Sequence, residues 1–400
     1  MGSRPSEHDR QAVLWVASAP DAPHPYVVEC CRRAGATVRE LFWACPTDGE
    51  RPLGRLVEYN SGGRQELPRT VKAVSPRLLL KLARAPEDVV VLYELGLPGL
   101  YAGLAKLLKP RRRRVVSLVE ADYRHLGRSG GATVKVAFRR LCARFVDVFV
   151  ANNPPARDYL LRTLRVPEAR IVVGWWLAGL PPGLEAGSPE PLDSSGGPAS
   201  APSAGPLFVC ACRLVPQKGV DLLIEAAAYY RREFGRCRLW LFGDGPEREA
   251  LERLARRLGV DDAVSFRGTV DHRRLKGALE ACDAFVFPTL RDFVGRVVVE
   301  ALTAGAPVVL SPLSGAAGTI VQDGVNGIIA DPRDCAALAA ALYRAADPAT
   351  ALHLREGVQR TSATLTPEAA ASVVLGAVAQ ARDRTRTRTR NRLRSRRWTA

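Results

Sequence analysis

Apolar residues along the 400-residue chain fall into two alternating kinds of run. Short continuous runs rich in β-branched and aromatic residues read as buried strands: "AVLWVAS", "TVRELFW", "VVVLYEL", "VVSLVEA", "VDVFVAN" and "RIVVGWW" in the first half. The second half repeats the pattern with "LFVCACRL", "RLWLFGD", "VSFRGTV", "AFVFPTL" and "PVVLSPL". Between them lie stretches with apolar residues three and four apart, such as "TVKVAFRRLCARF", "PARDYLLRTLR", "DLLIEAAAYYRREF" and "EREALERLARRLG". That spacing predicts amphipathic helices. Strands without polar alternation, each followed by a helix, predict parallel sheets covered on both faces.

The alternation is interrupted once. Residues 185–206, "EAGSPEPLDSSGGPASAPSAGP", are poor in large apolar residues and read as a linker or long surface loop. The expected division is residues 1–184, a linker 185–206 and residues 207–365. A helix at 366–381 would pack back on the first domain, ahead of a basic disordered tail at 382–400. The fold class is thus α/β, two Rossmann-like domains facing across a cleft, with the βα loops of both looking into it.

Composition narrows this further. The chain is 47% apolar and 25% charged, the balance of a packed globular protein. No apolar run reaches the length of a membrane span, and the first twenty residues lack the apolar core of a signal peptide. The nine cysteines are scattered without a C-x-x-C pair, which points to free core thiols in a reducing cytosol. The net charge of +17 is concentrated: the last twenty residues hold nine Arg against one Asp, and "KPRRRR" spans 109–114. An anionic membrane is a partner for such clusters. Nucleic acid is the weaker partner, because no aromatics are interleaved for base stacking.

Three strand-to-helix loops carry candidate chemistry. In "CACRLVPQKGVDLLIEAA", Arg213 and Lys218 lie between a buried strand and a helix, cations suited to a diphosphate, or alternatively an ordinary solvated pair. In "LWLFGDGPER", Gly243 and Asp244 end a strand, where a glycine permits close approach of a ligand and Asp244 is equally a turn cap. In "FPTLRDFVGRVVVEALTAGAPVVLS", Asp292 and Glu300 flank a glycine and an apolar run. Either they are a helix cap and a solvated acid, or they accept hydrogen bonds from vicinal hydroxyls near a helix start. Among the histidines, His24 and His125 follow first-half strands, while His272 and His353 sit in helical, Arg-rich patterns. No metal cluster and no D-x-D at a strand end appear, so no cofactor or metal is expected.

These motifs, with "VSFRGTV" and "IVQDGVNGIIADPRD", follow in the order and spacing of family-four retaining glycosyltransferases of the GT-B fold, which residues 207–345 resemble. The resemblance is weaker over 115–176. It implies a nucleotide-diphosphate sugar as donor and a sugar or lipid-linked acceptor. It further implies that Arg213 and Lys218 neutralise the diphosphate, Asp292 binds sugar hydroxyls and Glu300 holds the ribose. The amides near Val294, Gly295 and Arg296 would touch sugar and phosphate. Arg267 and Gly268 would lie beside the base, with Gly243 and Asp244 bordering the donor pocket. Glu120 stands where many relatives carry a histidine facing the reacting centre, and with His125 is assigned to substrate binding. The chain departs from the family pattern in Asp292 for a usual Glu, Arg296 for a frequent Leu, and Thr319 for a frequent acid. The expected activity is retaining, metal-independent hexosyl transfer in envelope, polysaccharide or glycolipid synthesis, in the cytoplasm or on the cytoplasmic face of the membrane. The alternatives are a nucleotide-sugar epimerase or phosphorylase on the same scaffold, or a non-catalytic nucleotide or nucleic-acid binder.

Overall fold

The structure, a computed structural model, describes residues 12–17, 24–43, 55–60, 63–70, 76–93, 97–108, 113–119, 130–177 and 205–397. Glu120, His125 and all but the end of the expected linker 185–206 lie outside these residues. The chain forms two compact units, Met1–Ala178 with Pro367–Ala400, and Gly179–Thr366.

The first unit contains strands β1 (Val13–Ala17), β2 (Val38–Trp43), β3 (Arg55–Asn60), β4 (Gly63–Thr70), β5 (Val89–Tyr93), β6 (Arg114–Val119), β7 (Val148–Ala151) and β8 (Ile171–Val173). Its helices are α1 (His24–Arg33), α2 (Pro76–Arg84), α3 (Leu97–Leu108), α4 (Gly130–Ala143) and the short α5 (Pro154–Asp158). The sheet order is β4-β3-β2-β1-β5-β6-β7-β8. It is parallel from β2 to β8, and β3 joins β2 and β4 antiparallel. The antiparallel edge has no counterpart in the apolar pattern, since "RLVEYN" and "GRQELPRT" are largely polar. The parallel strands follow the apolar runs: Val89, Val90, Val91, Val115, Val116, Val148, Phe149 and Val150 are all fully buried.

The second unit contains β9 (Leu207–Ala211), β10 (Arg238–Phe242), β11 (Val264–Gly268), β12 (Ala284–Phe287), β13 (Val308–Leu310) and β14 (Gly327–Ile329), all parallel. Between and after them come α6 (Val220–Glu233), α7 (Arg248–Arg257), α8 (His272–Ala281), α9 (Arg296–Thr303), α10 (Cys335–Ala346) and α11 (Pro348–Ser362). The order β11-β10-β9-β12-β13-β14 is doubly wound. Successive strands run outward from β9 in one direction and from β12 in the other, so the loops after β9 and β12 diverge. A crevice is left between them at the carboxyl edge of the sheet. Helix α6 shows why these elements form: Val220, Leu223, Ile224, Ala227 and Tyr230 make one buried stripe at spacings of three and four. Tyr230 then meets Phe208 of β9 edge-on at 5.6 Å.

The last helix, α12 (Pro367–Arg397), groups with the first unit. Ala370, Ala371, Val374, Ala377, Val378 and Ala381 are buried along it. Arg382 closes the contact with two hydrogen bonds to Asp88, 2.8 and 2.6 Å, and one to the Ala12 carbonyl. Where the composition suggested a disordered tail from 382, the backbone continues as helix to Arg397. The difference follows from arginine being a good helix former once a packed helix leads into it. Among the described residues no single helix is long and apolar enough to cross a membrane.

Candidate functional site

The site is built from the loops after β9 and β12. Beyond β9 the chain passes Arg213, makes a short turn at Pro216–Lys218, and enters α6 through Gly219 at φ 64°. A Cβ at Gly219 would lie 2.4 Å from the Pro288 carbonyl oxygen. Only glycine therefore lets the two loops come this close. The contact is then stitched: Leu290 N–H and the Thr289 hydroxyl both donate to the Gln217 carbonyl, at 2.9 and 3.1 Å.

This brings Lys218 onto Asp292. The Lys218 ammonium is ion-paired with Asp292 Oδ2, and it also lies 5.1 Å from the centroid of the Phe287 ring. The second oxygen, Oδ1, accepts from the Val294 amide at 3.1 Å. Gly315 N–H donates to the Asp292 carbonyl, and the buried Ser314 hydroxyl donates to the Val294 carbonyl. The Val294 N–H expected to face a ligand is thus committed to Asp292. Arg213, by contrast, is exposed, and among the described residues its guanidinium has no hydrogen bond or ion pair.

Gly295 caps α9 at φ 75°, and a Cβ there would meet the Phe287 ring at 2.6 Å. Helix α9 thus starts in the loop that follows β12, and the Val298 N–H in its first turn donates to the Gly295 carbonyl at 2.8 Å. One turn on, Glu300 is 4% exposed, so it is not a solvated acid. Its Oε1 accepts from Arg296 Nε at 2.9 Å, and His272 Nδ1 lies 3.8 Å away. His272 Nε2 is 3.3 Å from an Arg296 terminal nitrogen. Read as part of an Arg-rich helix, His272 gave no hint of this. What places it is its position as first residue of α8, just beyond the end of β11 on the same sheet edge.

The loop after β10 is built as a tight turn, one of the two readings its sequence allows. Gly243 has φ 109°, and a Cβ there would sit 2.0 Å from the Cys212 carbonyl oxygen. The close approach that demands glycine is to the neighbouring loop's backbone, which Cys212 and Leu214 N–H join to the Phe242 and Asp244 carbonyls. Asp244 Oδ1 accepts from the Gly245 amide at 2.8 Å, the turn-capping role. Beside it, the pairing of β10 with β11 skips Arg267, matching Leu241 to Phe266 and Phe242 to Gly268. The bulge leaves the Arg267 guanidinium 4.6 Å from the centroid of the Trp240 ring. Its Nε is buried without a partner, and Gly268 turns the chain at φ 68°.

Two thiols complete the floor. Cys210 and Cys212, on one side of β9 and its extension, have their sulfurs 4.0 Å apart. A hydrogen bond from Cys210 and the charge of Lys218 hold the Cys212 thiol below its ordinary range, while the same bond and burial push Cys210 well above it. Sequence reading treated both as small core apolar residues. Among the described residues no group of three or more His, Cys, Asp or Glu side chains is placed to hold a metal ion.

The chain is similar to known proteins in sequence and in fold. Residues 205–347 match the profile of glycosyl transferases group 1. The D-inositol 3-phosphate glycosyltransferase of Xylanimonas cellulosilytica is 31% identical over 248 residues, 59% of this chain and 57% of that one. The lipopolysaccharide core biosynthesis glycosyltransferase LpsE of Rhizobium meliloti is 37% identical over 141 residues, 35% of this chain and 39% of the other. The chain thus covers between 39% and 57% of the length of these curated relatives. In structure, Anabaena Alr3699/HepE in complex with UDP aligns at a TM-score of 0.69 and 17% identity, over 92% of this chain and 99% of that one. The fold is that of GT-B proteins, with two Rossmann-like units in one chain.

Proposed function

We propose, for a chain whose residues 205–347 match the glycosyl transferases group 1, that it moves a hexose-type sugar from a nucleotide-diphosphate sugar to an acceptor hydroxyl with retention. The observation that carries this reading is the meeting of Lys218 and Asp292 at the crevice, with buried Glu300 one helix turn further along α9. An elongated donor would lie along these groups, sugar toward Asp292, diphosphate toward Arg213 and Lys218, ribose toward Glu300. Arg267, stacked on Trp240, would flank the base.

In the reaction the bond from the anomeric carbon to the diphosphate oxygen breaks, and negative charge grows on that oxygen. Arg213, Lys218 and the first amides of α9 would meet this charge, so the reading assigns no step to a metal. None of these side chains is a covalent nucleophile poised for the sugar. The acceptor oxygen would attack on the face the leaving group vacates and pass its proton to the departing phosphate, which preserves the anomeric configuration. The first unit would hold the acceptor, a sugar or a lipid-linked sugar. The arginine-rich end of α12 would attract an anionic membrane from its cytoplasmic face, as fits envelope, polysaccharide or glycolipid synthesis.

A panel of UDP- and GDP-sugars, read first by thermal stabilisation, tests the donor. Alr3699/HepE is described in complex with UDP, which makes UDP-sugars the first arm. The donor that stabilises is then incubated with candidate acceptors while nucleoside diphosphate release and product anomer are followed. Acceptor-dependent release with a retained anomer supports the reading. Release that ignores the acceptor, or stabilisation without turnover, overturns it in favour of the epimerase-like or binding alternatives.

A further inference from the structure

Glu300 is a buried carboxylate, and such a group is stable only when paired and hydrogen-bonded. Its partner is Arg296, at the first position of the same helix and four residues earlier, so both side chains lie on one face of α9. Arg296 Nε donates to Oε1 at 2.9 Å. The guanidinium is held at its other end as well, by His272 Nε2 at 3.3 Å. A guanidinium only donates, so Nε2 must accept. The proton of a neutral His272 ring is then on Nδ1, the nitrogen that faces Glu300 Oε1 at 3.8 Å. One tautomer satisfies both contacts. Two helices, α8 and α9, thereby fix a long side chain at both ends.

We propose that Arg296, braced by His272, is a positioning residue that holds Glu300 with one oxygen tied and the other presented to the ribose hydroxyls of the donor. This rests on the donor-site reading given above. The consequence is selectivity. A carboxylate locked in one orientation meets a fixed pair of hydroxyls, and the cost of ordering it is met before the ligand arrives. A carboxylate free to rotate bonds whichever hydroxyl remains when one is missing, and discriminates less.

The test uses the full chain with UDP and GDP as probes, each beside its 2′-deoxy form, with binding read by calorimetry. The wild type should favour the ribonucleotide. Arg296→Leu should weaken the ribonucleotide by about tenfold, the worth of one charge-assisted hydrogen bond, and leave the deoxy form nearly unchanged, so that the preference collapses. Arg296→Lys should keep part of it. His272→Gln, at a half-exposed site on the start of α8, should shift the preference the same way by less and carries the test if Arg296→Leu does not fold. Equal weakening of both sugar forms would mean general damage and overturns the proposal. Wild-type selectivity in the Arg296 variants, with Glu300→Gln impaired, overturns the proposal and leaves the donor site standing. Unchanged binding in Glu300→Gln overturns the donor-site reading itself.

Discussion

Lys218 and Asp292 are 74 residues apart in the chain, yet their side chains form an ion pair with each largely shielded from water. The pair joins the loop after β9 to the loop after β12 where the strand order of the second sheet reverses. It also means that the cation proposed for the diphosphate and the acid proposed for the sugar neutralise each other without a ligand. A donor lying between them would share Lys218 with Asp292 and would not find it idle. Removing Lys218 alone leaves an acid facing the incoming phosphate; removing both leaves neither attraction nor repulsion. Lys218→Ala is therefore expected to cut transfer by about tenfold or more. Lys218→Ala with Asp292→Asn should recover part of the loss in donor affinity, a coupling of roughly 1–3 kcal/mol in a double-mutant cycle. Strict additivity of the two single changes in donor binding would refute a shared role.

Two glycines of the site, set beside Gly259 just past the end of α7, make a second, independent prediction about stability. Gly243, Gly295 and Gly259 all have positive φ, but an added Cβ meets different things. At Gly243 it meets the Cys212 carbonyl at 2.0 Å, backbone that two further hydrogen bonds hold in place. At Gly295 it meets a buried phenylalanine ring at 2.6 Å, and at Gly259 nothing lies within 4 Å. Alanine at 259 should cost about 1 kcal/mol, the strain of a left-handed residue alone. Alanine at 295 should cost about 2–3 kcal/mol, and at 243 still more, because displacement of packed neighbours is added. Urea denaturation of the three variants ranks them. Equal costs would show that the crowding at Gly243 is not felt.

Much of this arrangement was legible beforehand, and the rest was hidden for identifiable reasons. The strands of the second unit were readable because "LFVCA" and "AFVF" are continuous apolar runs, and strand-to-helix alternation leaves few topologies. Asp292 and Glu300 could be singled out because one followed a strand and the other a glycine-capped helix start. That Lys218 would pair with Asp292 could not be read, since nothing in local sequence encodes a contact across 74 residues. The antiparallel β3 and β4 were missed because their residues lack apolar alternation. At Gly243 the sequence leaves a ligand approach and a tight turn equally open, and the backbone of Cys212 against the added Cβ direction is a contact that local sequence does not encode.

The cysteine pair beneath the crevice makes a chemical prediction. The thiolate is the species that alkylates, and Cys212 forms it at lower pH than an ordinary thiol, whose value is 9.0. The first cause is the hydrogen bond from Cys210, which itself stays protonated; the Lys218 charge adds to it. Iodoacetamide at neutral pH, followed by peptide mass mapping, should modify Cys212 ahead of the fully buried Cys282, whose thiol is pushed up to about 12. Cys210→Ala should slow modification of Cys212 by removing the largest cause. A nucleoside diphosphate bound at Lys218 should protect it. Faster alkylation of Cys212 in Cys210→Ala would contradict the hydrogen-bond assignment.

The basic end of α12 allows a clean separation of anchoring from catalysis. Arg382 belongs to the folded unit, through Asp88 and the Ala12 carbonyl, so a truncation must begin beyond it. Residues 384–400 contain eight arginines, with Leu393 and Trp398 as their large apolar residues. Attraction to an anionic surface would therefore be mainly electrostatic, worth about 1 kcal/mol per arginine near the membrane and screened within a Debye length. Deleting 384–400 should abolish sedimentation with phosphatidylserine-containing vesicles at low salt and leave binding to neutral phosphatidylcholine vesicles unchanged. Wild-type binding should fall steeply as salt is raised. The melting temperature and the turnover of a water-soluble acceptor should stay close to wild type, because the helix is already secured at Arg382. If the truncated chain still sediments with anionic vesicles, the attraction resides elsewhere on the surface, with the basic run at 109–114 the next segment to neutralise.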